Sequence, residues 1–247
     1  MASKRQINRL RRVAAVMLFA AGFTVFLYFN PDAYQDAAQL NINASEITFQ
    51  ETQTKADSIL ARDVLEHLAV KDKNTSEKYY RKLFYNNWST AADGCNMREA
   101  ILKRDLHDIV LSGCKVQSGI LDDPYTGRQI NFVRGQDTSA AVQIDHVVAL
   151  SNAWATGAYA FDAEKRLALS QDPLNLIAVE GQANQDKLDQ DAADWLPPNQ
   201  AFRCQYVARQ ISVKYKYALW VTPAEKAAML QVLAACPDET TQGIVAQ

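Results

Sequence analysis

The sequence predicts an α+β domain centred on a strand, a helical insert, a second strand and a helix, over residues 140–195 of a body spanning 53–247. Three observations predict it. Val142 and Ile144 alternate with polar neighbours up to Asp145-His146, the pattern of a half-buried strand. "DPLNLIAVE" is a second short apolar run, entered through Pro173, and "GQANQDKLDQDAADW" after it has helix-forming composition. Between the strands, "SNAWATGAYAFDAEKRLALSQD" reads as helical.

In chain order, the first thirty residues stand apart. "KRQINRLRR" supplies Lys4, Arg5, Arg9, Arg11 and Arg12 with no acid. Val13–Phe29 is then an uncharged run of 17 residues, roughly 25 Å long as a helix. This is one N-terminal transmembrane or signal helix, residues 1–30. The flank "NPDAYQDAAQL" never has small residues at both positions of an A-x-A cleavage site. A single-pass anchor in the cell membrane, with the domain outside the cytoplasm, is therefore preferred to a cleaved signal and a secreted protein. Residues 31–52 are polar and aperiodic and read as a tether.

In the body, Ile59, Leu60, Val64, Leu65 and Leu68 have helical spacing within 55–71. Ala100, Ile101, Leu102, Leu106 and Ile109 repeat it within 95–114. His67 and His107 fall on these segments and read as surface or structural histidines. "KVQSGILDDPYTGRQINFV" reads as a small hairpin around the turn Asp122–Gly127. Segment 202–220 holds Arg203, Arg209, Lys214 and Lys216 among Phe202, Tyr206, Tyr215, Tyr217 and Trp220, without an acid. It reads as an amphipathic helix with its aromatics inside, and also as a platform for phosphates and bases; the two are compatible.

Cys95, Cys114, Cys204 and Cys236 all follow the apolar run, and no Cys-x-x-Cys pair suggests zinc. An even count in an exported body favours two disulfides, with Cys95–Cys114 and Cys204–Cys236 the sequence-local pairing. Five of the 26 basic residues lie in the first thirty, so the remainder carries 21 against all 28 acids, a formal charge of about −7. Such a body does not hold polyanions by bulk attraction and needs a local basic patch to do so.

The order Asp145-His146, Asn175, Asn184 places an imidazole at the end of one strand, an amide at the start of the next and a second amide in the first turn of the helix. A neutral imidazole can take a proton from water, and hard oxygen ligands can fix a divalent ion. "IDHVVAL", then "NL", then "NQDK" resembles the HNH nucleases, the His-Me finger or ββα-metal group, whose pattern is D/E/H-H, N-L and N/H-x-x-K. "IDHVVALSNAWATGA", "DPLNLIAV", "NQDK" and "WLPPNQAFRCQYVARQ" are similar to exported bacterial HNH proteins related to the C-terminal nuclease domain of GmrSD-type restriction enzymes. The likeness covers about residues 78–236.

The resemblance implies a ββα-metal core with His146 as general base, Asp145 and Asn184 as metal ligands, and Asn175 holding the loop that bears the base. The ligands suit Mg²⁺ or Mn²⁺. Lys187 reads either as a contact to a substrate phosphate or as a solvated lysine, and Arg203 and Arg209 as further substrate contacts. Arg166, within the 28 residues between His146 and Asn175, reads as an arginine for the scissile phosphate or as an ion-pair partner of Asp162 or Asp172. Leu188 stands where most relatives have glycine.

The expected function is metal-dependent endonucleolytic hydrolysis of DNA, with RNA left open, outside the cytoplasm. Nucleic acid is the substrate, the membrane is met through the N-terminal helix, and no protein partner is implied. The alternatives are a non-catalytic nucleic-acid-binding module on the same fold, and a glycan hydrolase. No carboxylate pair stands out to serve the latter.

Overall fold

A computed structural model of the chain describes residues 58–85, 87–90, 94–136 and 138–245. The apolar run and the tether lie outside these residues; within them no helix is long and apolar enough to cross a membrane. Strand β1 (Ser58–Leu60) leads into helix α1 (Ala61–His67). Helix α2 (Met97–Asp105) turns directly into β2 (Leu106–Ser112), followed by β3 (Lys115–Asp122) and β4 (Gln129–Val133). Then come β5 (Val142–His146), α3 (Leu150–Ala155), α4 (Ala163–Gln171), β6 (Leu176–Glu180) and α5 (Gly181–Lys187). Helices α6 (Arg203–Tyr217) and α7 (Pro223–Leu233) and strand β7 (Thr240–Val245) complete the mixed α+β body.

The strands form three small antiparallel sheets, β1-β7, β2-β3-β4 and β5-β6. In the last, the register runs from Val142↔Glu180 to His146↔Leu176, so the chain leaves the hairpin at His146, wanders through α3 and α4, and returns at Leu176. Glu180 caps α5 by accepting from the Ala183 N–H, and Gly181 lets the helix start against the Ala140 carbonyl, where a Cβ would collide.

Three apolar clusters fix these parts. Tyr206, Val207 and Ile211 of α6 pack with Val64 and Leu65 of α1, Met229 and Leu233 of α7, and Ile177 and Val179 of β6. Leu169, Val213, Tyr217 and Trp154 enclose Phe84 and Val148 beneath the insert. Ile101, Leu102, Val116, Leu121 and Phe132 join α2 and its sheet to Val142, Leu176 and Ala178. Each fully buried aliphatic or phenyl side chain contributes about 1.5–3 kcal/mol.

Several expectations need correction. The helix expected across 95–114 stops at Asp105. Leu106 and Ile109 have helical spacing, but they lie in a strand that β3 pairs, with a bulge at Asp108 (φ 49°). The small hairpin is thus a three-stranded sheet. Cys95 and Cys114 are not bridged to each other: Cys95 precedes α2 beside Lys103, whereas Cys114 sits at the tip of the β2–β3 turn after Gly113. Cys204–Cys236 is formed and ties the start of α6 to the end of α7 across 32 residues, a closure that contributes about 3.7 kcal/mol in the chain-entropy description. Lys214 is no surface cation either: it is buried in an ion pair with Glu225 (2.7 Å) that joins α6 to α7.

Helix α5 is shorter than expected and ends where Leu188 takes φ 52°, ψ −126°. This backbone region suits glycine, and the leucine side chain is 65% exposed, so packing returns little for the strain. Strain of about 1–2 kcal/mol less the entropic penalty of glycine, about 0.5–1 kcal/mol, leaves a net gain for Leu188→Gly. At the middle of these ranges, about 0.75 kcal/mol, thermal melting should rise by about 2–3 °C; an unchanged or lower midpoint would show that the leucine is unstrained.

Candidate active site

His146 is the last residue of β5 and only 5% exposed. Its Nε2 lies 2.9 Å from the Ser170 carbonyl at the end of α4. A carbonyl can only accept, so Nε2 carries the proton and Nδ1 keeps a free lone pair. The Trp88 ring lies parallel to the imidazole (6.1 Å, 10°) and Tyr85 leans on it at 6.1 Å. Burial pushes the imidazole down to about 4, partly opposed by the Ser170 bond and by Asp145. At neutral pH His146 is therefore uncharged.

Asn175 is wholly buried and holds the chain just after the histidine. Its Oδ1 accepts from the Val148 N–H (2.8 Å), its Nδ2 donates to the Val148 carbonyl (3.2 Å), and its own carbonyl accepts from the Val147 N–H (2.8 Å). Arg209 and Arg104 secure the entry to β6 from outside, both donating to the carbonyls of Pro173 and Leu176.

Asp145 and Lys187 form a buried pair, Nζ lying 3.0 Å from Oδ2 and 3.1 Å from Oδ1. Lys187 also donates to the His146 carbonyl (2.9 Å), while the Tyr125 hydroxyl donates to Asp145 Oδ2 at 2.5 Å. Burial, first, and then the Asp145 charge push the Tyr125 phenol well above its ordinary value, so it stays a donor. Asn184 donates through Nδ2 to Gln143 Oε1 (2.8 Å), and its own Oδ1 has no hydrogen-bond partner among the described residues.

Gln143, Asp145, His146 and Asn184 line one cleft of about 550 Å³; Tyr79 and Arg81 form another part of its wall, with Ser151 and Asp189 at its margin. The cleft joins a neutral imidazole to two carboxylates, three side-chain amides and an exposed guanidinium.

Four of the expected site residues, Asp145, His146, Asn175 and Asn184, come together here. The others do not. Lys187 is 0% exposed and faces Asp145 rather than a substrate. Arg166 donates to the carbonyls of Leu83 and Phe161 and lies over the Trp154 ring, pairing with neither Asp162 nor Asp172 among the described residues. Arg209 spends its guanidinium on the carbonyls of Pro173, Leu174 and Leu176, and burial lowers it to about 10. Arg203 donates to the Pro197 carbonyl. Conversely, Tyr125, the Ser170 carbonyl and the segment carrying Tyr79, Arg81, Tyr85 and Trp88 belong to the site without having been singled out. The acid-free run "KYYRKLFYNNW" was the available signal for that segment.

The sequence model of "GmrSD restriction endonucleases, C-terminal domain" matches residues 46–232, a span that holds the whole cleft. A protein of Arthroderma benhamiae described as an "Uncharacterized secreted protein" is 38% identical over 179 residues, covering 71% of this chain and 84% of that protein. No solved structure matches.

Proposed function

The chain belongs to the family of GmrSD restriction endonuclease C-terminal domains, and on that premise we propose that it is a metal-dependent endonuclease of the HNH type, with the β5-β6 hairpin and α5 as its ββα core. The observation that carries the reading is the state of His146. It is neutral, protonated on the nitrogen held by Ser170, and its Nδ1 has no hydrogen-bond partner among the described residues, in the cleft shared with Asp145 and Asn184.

Nδ1 of His146 takes a proton from water, and the hydroxide attacks the phosphorus in line with the departing 3′ oxygen. The Ser170 carbonyl stabilises the imidazolium that forms, and Trp88 and Asn175 hold the ring and its loop in place. Asp145 and Asn184 would hold a divalent ion. Their fit rests on the free Asn184 Oδ1 and on a carboxylate that offers about four lone-pair sites, not all of which Tyr125 and Lys187 occupy. One carboxylate already paired with a lysine suits a largely hydrated Mg²⁺ or Mn²⁺. When bound, such an ion neutralises charge developing on the phosphoryl and leaving oxygens.

Nucleic acid is the proposed substrate, and action outside the cytoplasm is supported by the basic and apolar N-terminal run and by the secreted relative. Asn184→Ala should raise the Mg²⁺ concentration for half-maximal nicking of supercoiled plasmid by roughly tenfold or more. An unchanged titration would remove Asn184 from the metal site. Binding of plasmid with no nicking by the wild-type protein at any Mg²⁺ or Mn²⁺ concentration would favour the non-catalytic module instead.

A further inference from the structure

We propose that segment 78–85 is a docking wall for single-stranded nucleic acid, with Arg81 receiving the phosphate next to His146 and Tyr80 stacking the adjacent unpaired base. The proposal rests on the nuclease reading and adds a substrate class to it.

The wall has an anchored side and a free side. Phe84 is buried against Trp154, Tyr79 leans on both rings, and the Trp154 indole donates to the Glu77 carbonyl. This fixes the 3₁₀ turn Arg81–Leu83 above the cleft. Lys78, Tyr80, Arg81 and Lys82 point outward instead. The Arg81 guanidinium donates to the Tyr85 hydroxyl (2.6 Å) and lies 5.4 Å from that ring's centre, and Tyr85 in turn leans on His146. Among the described residues Arg81 has no carboxylate partner, so most of its five N–H donors remain for an anion. Tyr80 is 45% exposed, and the ammonium groups of Lys78 and Lys82 lie over its ring, 5.4 and 5.9 Å from the centre.

Exposed lysines lying over a ring can turn to the flanking phosphates as a base takes their place on its face, so Tyr80, with a guanidinium near the attacking base, matches a sugar-phosphate chain with one base turned out. In a duplex the base faces are already stacked, so Tyr80 would add nothing and only salt-dependent phosphate contacts would remain. Glu77 precedes the segment and Asp189 lines the same cleft near Tyr79, so the positive charge is confined to the outward side that carries Lys78, Arg81 and Lys82. A body of about −7 makes it the more distinct.

The test is fluorescence anisotropy of full-length protein with labelled oligo-dT and with a hairpin duplex, in EDTA so that nothing is cut. Oligo-dT should bind at least about tenfold more tightly than the duplex, and Tyr80→Ala should erase roughly that factor while leaving duplex binding unchanged. Arg81→Gln should weaken both probes, and Arg81→Lys should restore part of the loss. Equal binding of the two probes, or wild-type oligo-dT binding by both Tyr80→Ala and Arg81→Gln, would overturn the proposal. Both side chains are exposed, so unchanged melting curves are expected. Absence of cutting in Mg²⁺ beside the expected binding pattern would overturn the nuclease reading alone; normal cutting beside unaltered binding would overturn the wall alone.

Discussion

His146→Ala should lower the rate of plasmid cleavage by about 10²–10⁴-fold, the usual contribution of a positioned general base. The ring is buried between Trp88 and the Ser170 carbonyl, so its removal also leaves a small void and an unpaired carbonyl. A stability loss of about 1–3 kcal/mol should accompany the loss of activity. His146→Gln separates the two effects, because a side-chain amide can still donate to Ser170 but cannot accept a proton from water. It should melt closer to wild type and cut as poorly as the alanine variant. Cutting at the wild-type rate by either folded variant would take the base role away from His146.

Lys187→Met should destabilise the domain by about 3–5 kcal/mol, the cost of leaving one partner of a buried ion pair alone. Methionine fills much of the lysine volume, so the loss reports charge rather than packing. The Asp145 carboxylate would retain Tyr125 as a donor and lose its counter-charge, and the His146 carbonyl would lose a donor. Urea unfolding provides the measurement, and Asp145→Asn combined with Lys187→Met should recover part of the loss. Wild-type stability with weakened oligonucleotide binding would instead mean that Lys187 reaches the substrate.

Why Lys187 reads as a phosphate ligand in the sequence is instructive. One turn after Asn184 it has the type and spacing of a substrate contact, and only the fold reveals that Asp145 and the His146 carbonyl lie where its ammonium ends. The order of β5, insert, β6 and α5 is legible because alternation at Val142 and Ile144 and the Pro173 entry are local signals. Leu106 and Ile109 mislead because a spacing of three fits both a helix and a bulged strand, and the pairing with β3 that decides between them is not local. The Cys95–Cys114 expectation rested on closeness in sequence alone, whereas Cys95 sits before α2 and Cys114 at the β2–β3 turn. Ser170 leaves no trace because its backbone carbonyl acts, and Arg166 and Arg209 mislead because guanidinium groups that hold carbonyls look, in sequence, like those that await phosphates.

The measurement closest to the chemistry is cleavage of an oligonucleotide in ¹⁸O-labelled water with Mg²⁺, followed by mass spectrometry of the fragments. Water activated by His146 forms the new P–O bond while the P–O3′ bond breaks and the 3′ oxygen takes up a proton. Each cut should therefore give one 3′-hydroxyl and one 5′-phosphate carrying a single ¹⁸O. Intact oligonucleotide, or fragments ending in 3′-phosphate or a cyclic phosphate, would contradict hydrolysis at this site.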